Sequence, residues 1–509
     1  MKKLTNIIFI ILCIFIFSQC DPSGGNGEDN PAPTLTAISP AAKVSNMPSF
    51  TLTATGTDFI SGSQIVFDGT PKPTTFVSAT EITCQVDSAD IPGRSATTTG
   101  YENISGALST NVPVLVRNPL PGGGDSTSIN FTINDDHTFK APVSIYGPGR
   151  STNPRIALDN TGNIYIAWHE ALFPNGEEYF IHSTDNGSTW GAAVNISNSS
   201  GRSAEIDIAV DSGGNIDLVW LDTSAAFKQD IYFTRSTNNG STWSSITNIS
   251  NRDGAERGSP VIAVDSSGNI NVAWIDNYTG DFMVMFNRST NNGSTWGSNV
   301  NITDYSKDRG VTDIAMGSTG DIYVLCDYFT PSPLPVISED EIYFRRSTNN
   351  GATWGAAVNV SNTAAHSRNG RMAVDSIGDI NLVWNDDTPG NAEILFSRST
   401  NSGTTWSWPL NISGNSGVSW TPDIAMDSAG NIHVVWVDSS SGVYEIYFSR
   451  STDNGATWST AVNISNSANS AKSRNPRIAV DSAGDIHVVW YDYISSSGSF
   501  EVLYTNSIL

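Results

Sequence analysis

At 509 residues the chain is longer than one ordinary domain, although a radial repeat fold can reach such a size. Its 26 basic residues against 50 acidic ones, a net charge of −24, exclude nucleic acid and anionic lipid surfaces as partners, because both are bound through Lys and Arg neutralisation. With 38% hydrophobic residues, 14 Trp and 44 Gly, the composition supplies cores and tight turns that a disordered chain lacks.

The first 19 residues carry Lys2 and Lys3, then a short apolar run to Phe17, the pattern of an export signal. No later stretch approaches 18 consecutive apolar residues, so the mature protein is expected outside the cytoplasm without a spanning helix. Cys20 closes the run and is followed by DPSGGNGEDNPAP, a flexible linker over 20–31. This arrangement resembles a bacterial lipoprotein signal, which implies lipid on Cys20 and attachment to a membrane of the cell envelope. Beyond it only Cys84 and Cys326 remain, in different parts of the chain, so no disulfide framework is implied.

Residues 32–134 hold β-rich runs, FTLTATGTDF, SQIVFDGT, TTFVSATEITCQV and VPVLVRNP, separated by turn residues. They predict a small Ig-like sandwich. TAISP, GTDF, VFDG and the closing NPLPGGGDS resemble the IPT/TIG family, whose modules act as spacers or binding modules and bring no catalytic residues.

From 137 to 509 the sequence repeats at a spacing of roughly fifty residues or slightly more, the range of solenoids and propellers. A unit such as RIAVDSAGDIHVVWYD, EIYFSRSTDNGATW, AVNIS supplies four short strands, which is one propeller blade. The second-strand column holds Trp168, Trp220, Trp274, Cys326, Trp384, Trp436 and Trp490, so seven blades are expected in an all-β chain. The later Trp of each unit occurs at 190, 243, 296, 354, 406 and 458, one short of seven. HTFKAPVSI at 137–145 aligns with ATWSTAVNI at 456–464, placing Phe139 in the missing column. An N-terminal strand is therefore expected to complete the last blade and remove the free strand edges of an open ring.

The motif Ser-x-Asp-x-Gly-x-Thr-Trp resembles the Asp box, or BNR repeat, of sialidases and other propellers. Asp survives at Asp185 and Asp453, while Asn238, Asn291, Asn349 and Asn401 replace it. Asn keeps the oxygen that accepts turn N–H bonds but cannot act as an acid or nucleophile, so the motif reads as scaffold. The recurring acids Glu170, Asp222, Asp276, Asp386, Asp438 and Asp492 read the same way, as do Asp159, Asp211, Asp265, Asp375, Asp427 and Asp481 before their hairpin turns. His433 and His487 are ordinary strand residues without a second ligand at metal spacing, and neither metal nor cofactor is expected.

On a repeat scaffold a single site lies where the copies disagree. Four residues before the first-strand Asp column stand Arg155, Asp207, Val261, Asp313, Arg371, Asp423 and Arg477, a ring whose members either pair with each other or receive an anionic ligand. Three residues earlier, Arg368 and Arg474 align with Trp420, and Arg150, Arg202, Arg257 and Arg309 lie nearby. An aromatic beside Arg suits a sugar ring. The insertion YFTPSPLPVISED in the fourth unit falls on the same face. Sialidases add an Arg triad, an Asp acid and a Tyr–Glu pair; Arg155 stands roughly where their first Arg does, but the aromatic-Arg-Ile-Pro run is absent and no acid or Tyr–Glu pair matches. The expected function is binding of a glycan or extracellular protein ligand without catalysis, through Arg155, Arg368, Arg371, Trp420, Arg474 and Arg477. A sialidase-type exo-glycosidase and an inert surface component are the alternatives.

Overall fold

The computed structural model describes residues 29–44, 50–87, 90, 109–134, 139–171, 175–225, 228–251, 257–277, 282–303, 308–330, 339–467 and 471–507. The expected export signal, Cys20, the expected linker to residue 28 and most of the fourth-unit insertion lie outside them. The described residues are all-β, and none of their segments is a helix long and apolar enough to cross a membrane. Two compact units divide the chain, Met1–Asp136 and His137–Leu509.

In the first unit, one sheet orders Thr34–Ser39, Phe50–Thr57, Glu81–Val86 and Thr74–Ser78; a second orders Ala42–Val44, Ile129–Asn134, Ser109–Asn118, Gln64–Phe67 and Thr70–Pro71. Period-two alternation buries Leu52 and Ala54 from one sheet and Val112, Val114 and Val116 from the other. These meet Ile65, Phe67, Ile82 and Phe131 in one core, the arrangement of a two-sheet sandwich.

Among the described residues the second unit forms seven four-stranded sheets, numbered 1 to 7 here in order of their first strands: Ser151–Leu158, Ser203–Val210, Arg257–Val264, Asp308–Met316, Ser367–Val374, Ser419–Met426 and Ala471–Val480. Each first strand packs against the next, and Ala471–Val480 packs against Ser151–Leu158. Second strands such as Ile164–Glu170 and Ile432–Asp438 are buried at every residue, because a neighbouring sheet covers each face. Trp168, Trp220, Trp274, Trp384, Trp436 and Trp490 are fully buried in these inter-sheet layers, with Cys326 in the same place in sheet 4. The fourth strand of sheet 7 is Val143–Gly149, paired antiparallel with Ser499–Asn506, and Phe139 bridges Ser507.

The repeated Ser-x-Asp/Asn-x-Gly-x-Thr-Trp turn joins each sheet to its predecessor. In sheet 4, Asn349 Oδ1 accepts the Thr353 N–H at 2.9 Å, and Ser347 Oγ accepts the Gly351 N–H at 2.9 Å. In sheet 1, Asp185 makes the equivalent bond to Thr189 at 2.8 Å, so Asp and Asn are interchangeable here. The turn's Trp stands edge-on to an aromatic ring of the preceding sheet: Trp243 on Phe180, Trp296 on Phe233, Trp354 on Phe286, Trp406 on Phe344 and Trp458 on Phe396. Trp190 meets Tyr504 of sheet 7, and Phe139 meets Phe448 of sheet 6 at 5.1 Å, within the 5.0 to 5.3 Å spread of the others.

The recurring acids are absorbed by local bonding. Asp211 accepts the Gly213 and Asn215 N–H groups at 2.8 and 2.9 Å, and Asp438 accepts Ser419 Oγ–H and Trp436 Nε1–H at 2.8 and 3.1 Å. His433 and His487 turn Nε2 toward Asp427 and Asp481 of their own hairpins.

Candidate functional site

The first strands carry a repeated irregularity. In six of them a non-glycine residue adopts positive φ two positions before the ring column: Asn153, Glu205, Ser259, Asn369, Thr421 and Asn475, with φ from 47° to 60°. The strand register shifts there, as between Thr152 and Arg155 or Arg474 and Arg477. Such a bulge re-aims the following side chain, and it sets Arg155, Asp207, Val261, Asp313, Arg371, Asp423 and Arg477 into one belt.

The belt's carboxylates act as staples. Asp207 accepts the Ile262 N–H at 3.0 Å, Asp313 the Met372 N–H at 2.8 Å and Asp423 the Ile478 N–H at 2.9 Å, each joining its sheet to the next. Arg155 pairs with Asp207 at 3.2 Å, and Arg371 donates to the Thr312 carbonyl and lies 3.9 Å from Asp423. Alternation of Asp with another residue runs through sheets 1 to 7 and fails only where sheet 7 meets sheet 1, because seven is odd. Sheets 7 and 1 meet with Arg477 beside Arg155, joined instead by Asn475 Nδ2 donating to Asn153 Oδ1 at 2.5 Å. Arg477 donates to the Pro476 carbonyl at 2.7 Å, and among the described residues no carboxylate ion-pairs with it. Burial, followed by repulsion from Arg155 and Arg371, holds its guanidinium well below the usual range. Arginine keeps its proton, so a positive charge stands here beside that of Arg155.

The loop-side residues fall into two groups. Trp420 is half-buried against Tyr444, ring centroids 4.9 Å apart, and Arg474 lies over the same Tyr444 ring at 5.0 Å with Lys472 at 5.9 Å. Trp420 thus backs an aromatic–cation cluster rather than standing free as a stacking platform, and the cluster flanks the junction of sheets 6 and 7. Arg368 is held by Asp340 at 2.6 Å on the other side of the belt, between sheets 4 and 5. Arg257 is fully buried between Asp230 and Asp276 and belongs to the scaffold. Arg150 and Arg202 are exposed, and the side chain of Arg309 lies outside the described residues.

Sequence reading passed over one further column. The residue after the second-strand Trp, with its third-strand partner, is aliphatic in three sheets: Leu221 with Ile231, Ile275 with Val284, Val437 with Ile446. Sheet 1 instead pairs His169 with Glu178, Nδ1 to Oε1 3.1 Å, and sheets 4 and 5 place Asp327 and Asn385 there. Glu178 is wholly buried, its Oε2 has no partner, and burial raises its pKa. A Cβ on Gly176 would come within 2.3 Å of the His169 ring, so glycine makes room for it. The columnwise comparison that singled out the belt would have found this pair as well.

Replacing both partners, His169→Leu with Glu178→Ile, restores the aliphatic column and should leave stability unchanged or raise it by about 1–3 kcal/mol. His169→Leu alone should cost about 3–5 kcal/mol, since it strands a buried carboxyl. Thermal melts of the three proteins check this.

Residues 33–133 match the IPT/TIG domain. The first unit is thus an IPT/TIG module in sequence as well as a two-sheet sandwich in structure. No curated protein matches the chain. Among solved structures, a polysaccharide lyase described as a PL25 ulvan lyase aligns with TM-score 0.51 and 14% identity over 71% of this chain and 95% of its own. The same description, bound to an acidic oligosaccharide of glucuronate and sulfated rhamnose, aligns at TM-score 0.50 and 14% identity, again over 71% and 95%. A Hadza microbial sialidase aligns at TM-score 0.44 and 13% identity over 77% and 78%. The lyase likeness, at such identity, establishes a shared fold and leaves chemistry to the residues.

Proposed function

We propose that the second unit is a closed seven-bladed propeller of the Asp-box type that binds an anionic glycan at the belt without cleaving it. The N-terminal strand closes its last blade, the IPT/TIG module precedes it as a spacer, and lipid on Cys20 holds the exported protein to a cell-envelope membrane. The edge-on aromatic contacts running from sheet 1 through sheet 7 and back support closure. Arg477, charged, half-buried and lacking a carboxylate partner beside Arg155, carries the ligand reading. A sulfate or carboxylate there accepts bidentate guanidinium bonds, and the Trp420–Tyr444–Arg474 cluster adds an aromatic and cationic wall beside it. The acidic oligosaccharide held by the lyase of similar fold agrees with a ligand of that class.

A glycan array probed with the mature protein, with reducing-sugar release followed on the same ligands, tests this. Binding to sulfated or carboxylated glycans without release is expected, and Arg477→Ala should weaken it about ten- to a hundredfold while the protein stays folded. Release of sugar would establish the glycosidase alternative, and binding only to proteins would remove the glycan reading. Asn349→Ala, in a repeated turn, should lower stability and leave affinity unchanged.

A further inference from the structure

The belt's second feature lies between sheets 4 and 5. Arg371 reaches back to the Thr312 carbonyl, and two carboxyls lie against the backbone on either side of it: Asp313 accepts the Met372 N–H at 2.8 Å, and Asp327 lies beside the Asn369 backbone. Asp327 Oδ1 is buried without a partner. From sheet 5, Arg368 and Arg371 face these groups; from the third strand of sheet 4, Asp340 does so, held by Arg368 and 3.4 Å from His366; Asp207 and Asp423 act from elsewhere in the belt.

We propose that Asp313 and Asp327 make anion capture by the belt proton-dependent: neutral, they leave Arg371 open to an anionic group, and ionised, they take its charge for themselves. The inference rests on the anion-binding reading above.

Burial pushes Asp327 up to about 7, with the Asp340 charge adding to it against the lowering effect of the Asn369 N–H. Burial pushes Asp313 up to about 6, against Arg371 and the Met372 N–H. Above pH 7 Asp313 and Asp327 therefore both set a negative charge beside Arg371, and below pH 6 both are neutral. Raised carboxyl pKa values mean that the proton-bound form dominates below these values, so anion affinity falls as pH rises through them. By reciprocity, anion binding takes up protons near pH 7.

Titration calorimetry with a chondroitin sulfate hexasaccharide, whose sulfates and carboxylates stay ionised throughout, tests this between pH 5.5 and 8.5. Kd should rise about tenfold over that range, and binding near pH 7 should show proton uptake when two buffers of different ionisation enthalpy are compared. Asp327→Asn should flatten the profile, and Asp313→Asn should flatten its lower half. Asp217→Asn is the control: burial pushes that carboxyl up to about 7 as well, but it is bound to Arg235, 2.7 Å away, beside a hairpin turn at the other end of the strands. His366→Asn should also leave the profile in place. A flat profile in the unmodified protein, or one unchanged in both Asp313→Asn and Asp327→Asn, overturns the inference while leaving the anion site standing if Arg477→Ala still weakens binding. No binding at any pH overturns both. Should Asp327→Asn not fold, proton uptake by the unmodified protein decides.

Discussion

Replacing residues 139–149 with a Gly/Ser linker of equal length should melt the whole second unit early, whereas deleting 33–133 should leave its transition where it was. The replaced segment contributes Phe139, edge-on to Phe448, and the buried Ile145. It also contributes Tyr146, whose ring lies 4.9 Å from Trp168 of sheet 1. At about 1.5–3 kcal/mol for each buried side chain, the loss is roughly 5 kcal/mol, a large share of the 5–15 kcal/mol that typically holds a domain folded. The loss exceeds one sheet, because Ser499–Asn506 becomes an unpaired edge and Trp168 of sheet 1 loses the Tyr146 ring that covers it. Calorimetric scans of the two variants check this. Equal shifts in both, or none in the linker variant, would mean that the N-terminal strand is an accessory and that the seven sheets hold together without it.

How much of this was legible follows from what repetition exposes. Four strands per unit, the buried Trp column and the need for Phe139 to stand in for a missing Trp were readable, because a residue required seven times announces itself by position. The belt was readable as a set of positions, and its geometry was not. Nothing in the letters of Asn475 or Thr421 signals positive φ, since asparagine tolerates it and threonine does so only where surrounding packing enforces it. The frustration at the junction of sheets 7 and 1 depends on Ala471–Val480 packing against Ser151–Leu158, which places Arg477 beside Arg155 although they are far apart in sequence. Trp420 looked like a free aromatic because its partner, Tyr444, comes from a loop outside the aligned strands. Glu178 and Asp327 were missed for another reason: their column was not compared between units, although its exceptions set carboxyls where other sheets are aliphatic.

Two glycines of sheet 6 should separate what a backbone needs from what a neighbour needs. Gly430 and Gly455 have nearly the same φ, 86° and 83°, so alanine at either position incurs the same left-handed cost, about 1–2 kcal/mol. Their surroundings differ. A Cβ on Gly430 meets nothing within 4 Å, but one on Gly455 would lie 2.2 Å from the Phe396 ring of sheet 5, which Trp458 already holds edge-on. Every complete copy of the turn repeats this approach, at 2.0 to 2.4 Å from Tyr504 or a Phe of the preceding sheet. Gly455→Ala must push that ring out of an inter-sheet layer with no spare volume, which adds about 1–3 kcal/mol. Urea or thermal unfolding should therefore find Gly455→Ala destabilised by roughly 2–5 kcal/mol and Gly430→Ala by the backbone cost alone. If the two variants lose the same stability, the glycine serves only its own turn, and the hold between successive sheets rests on the Trp and its hydrogen-bonded loop.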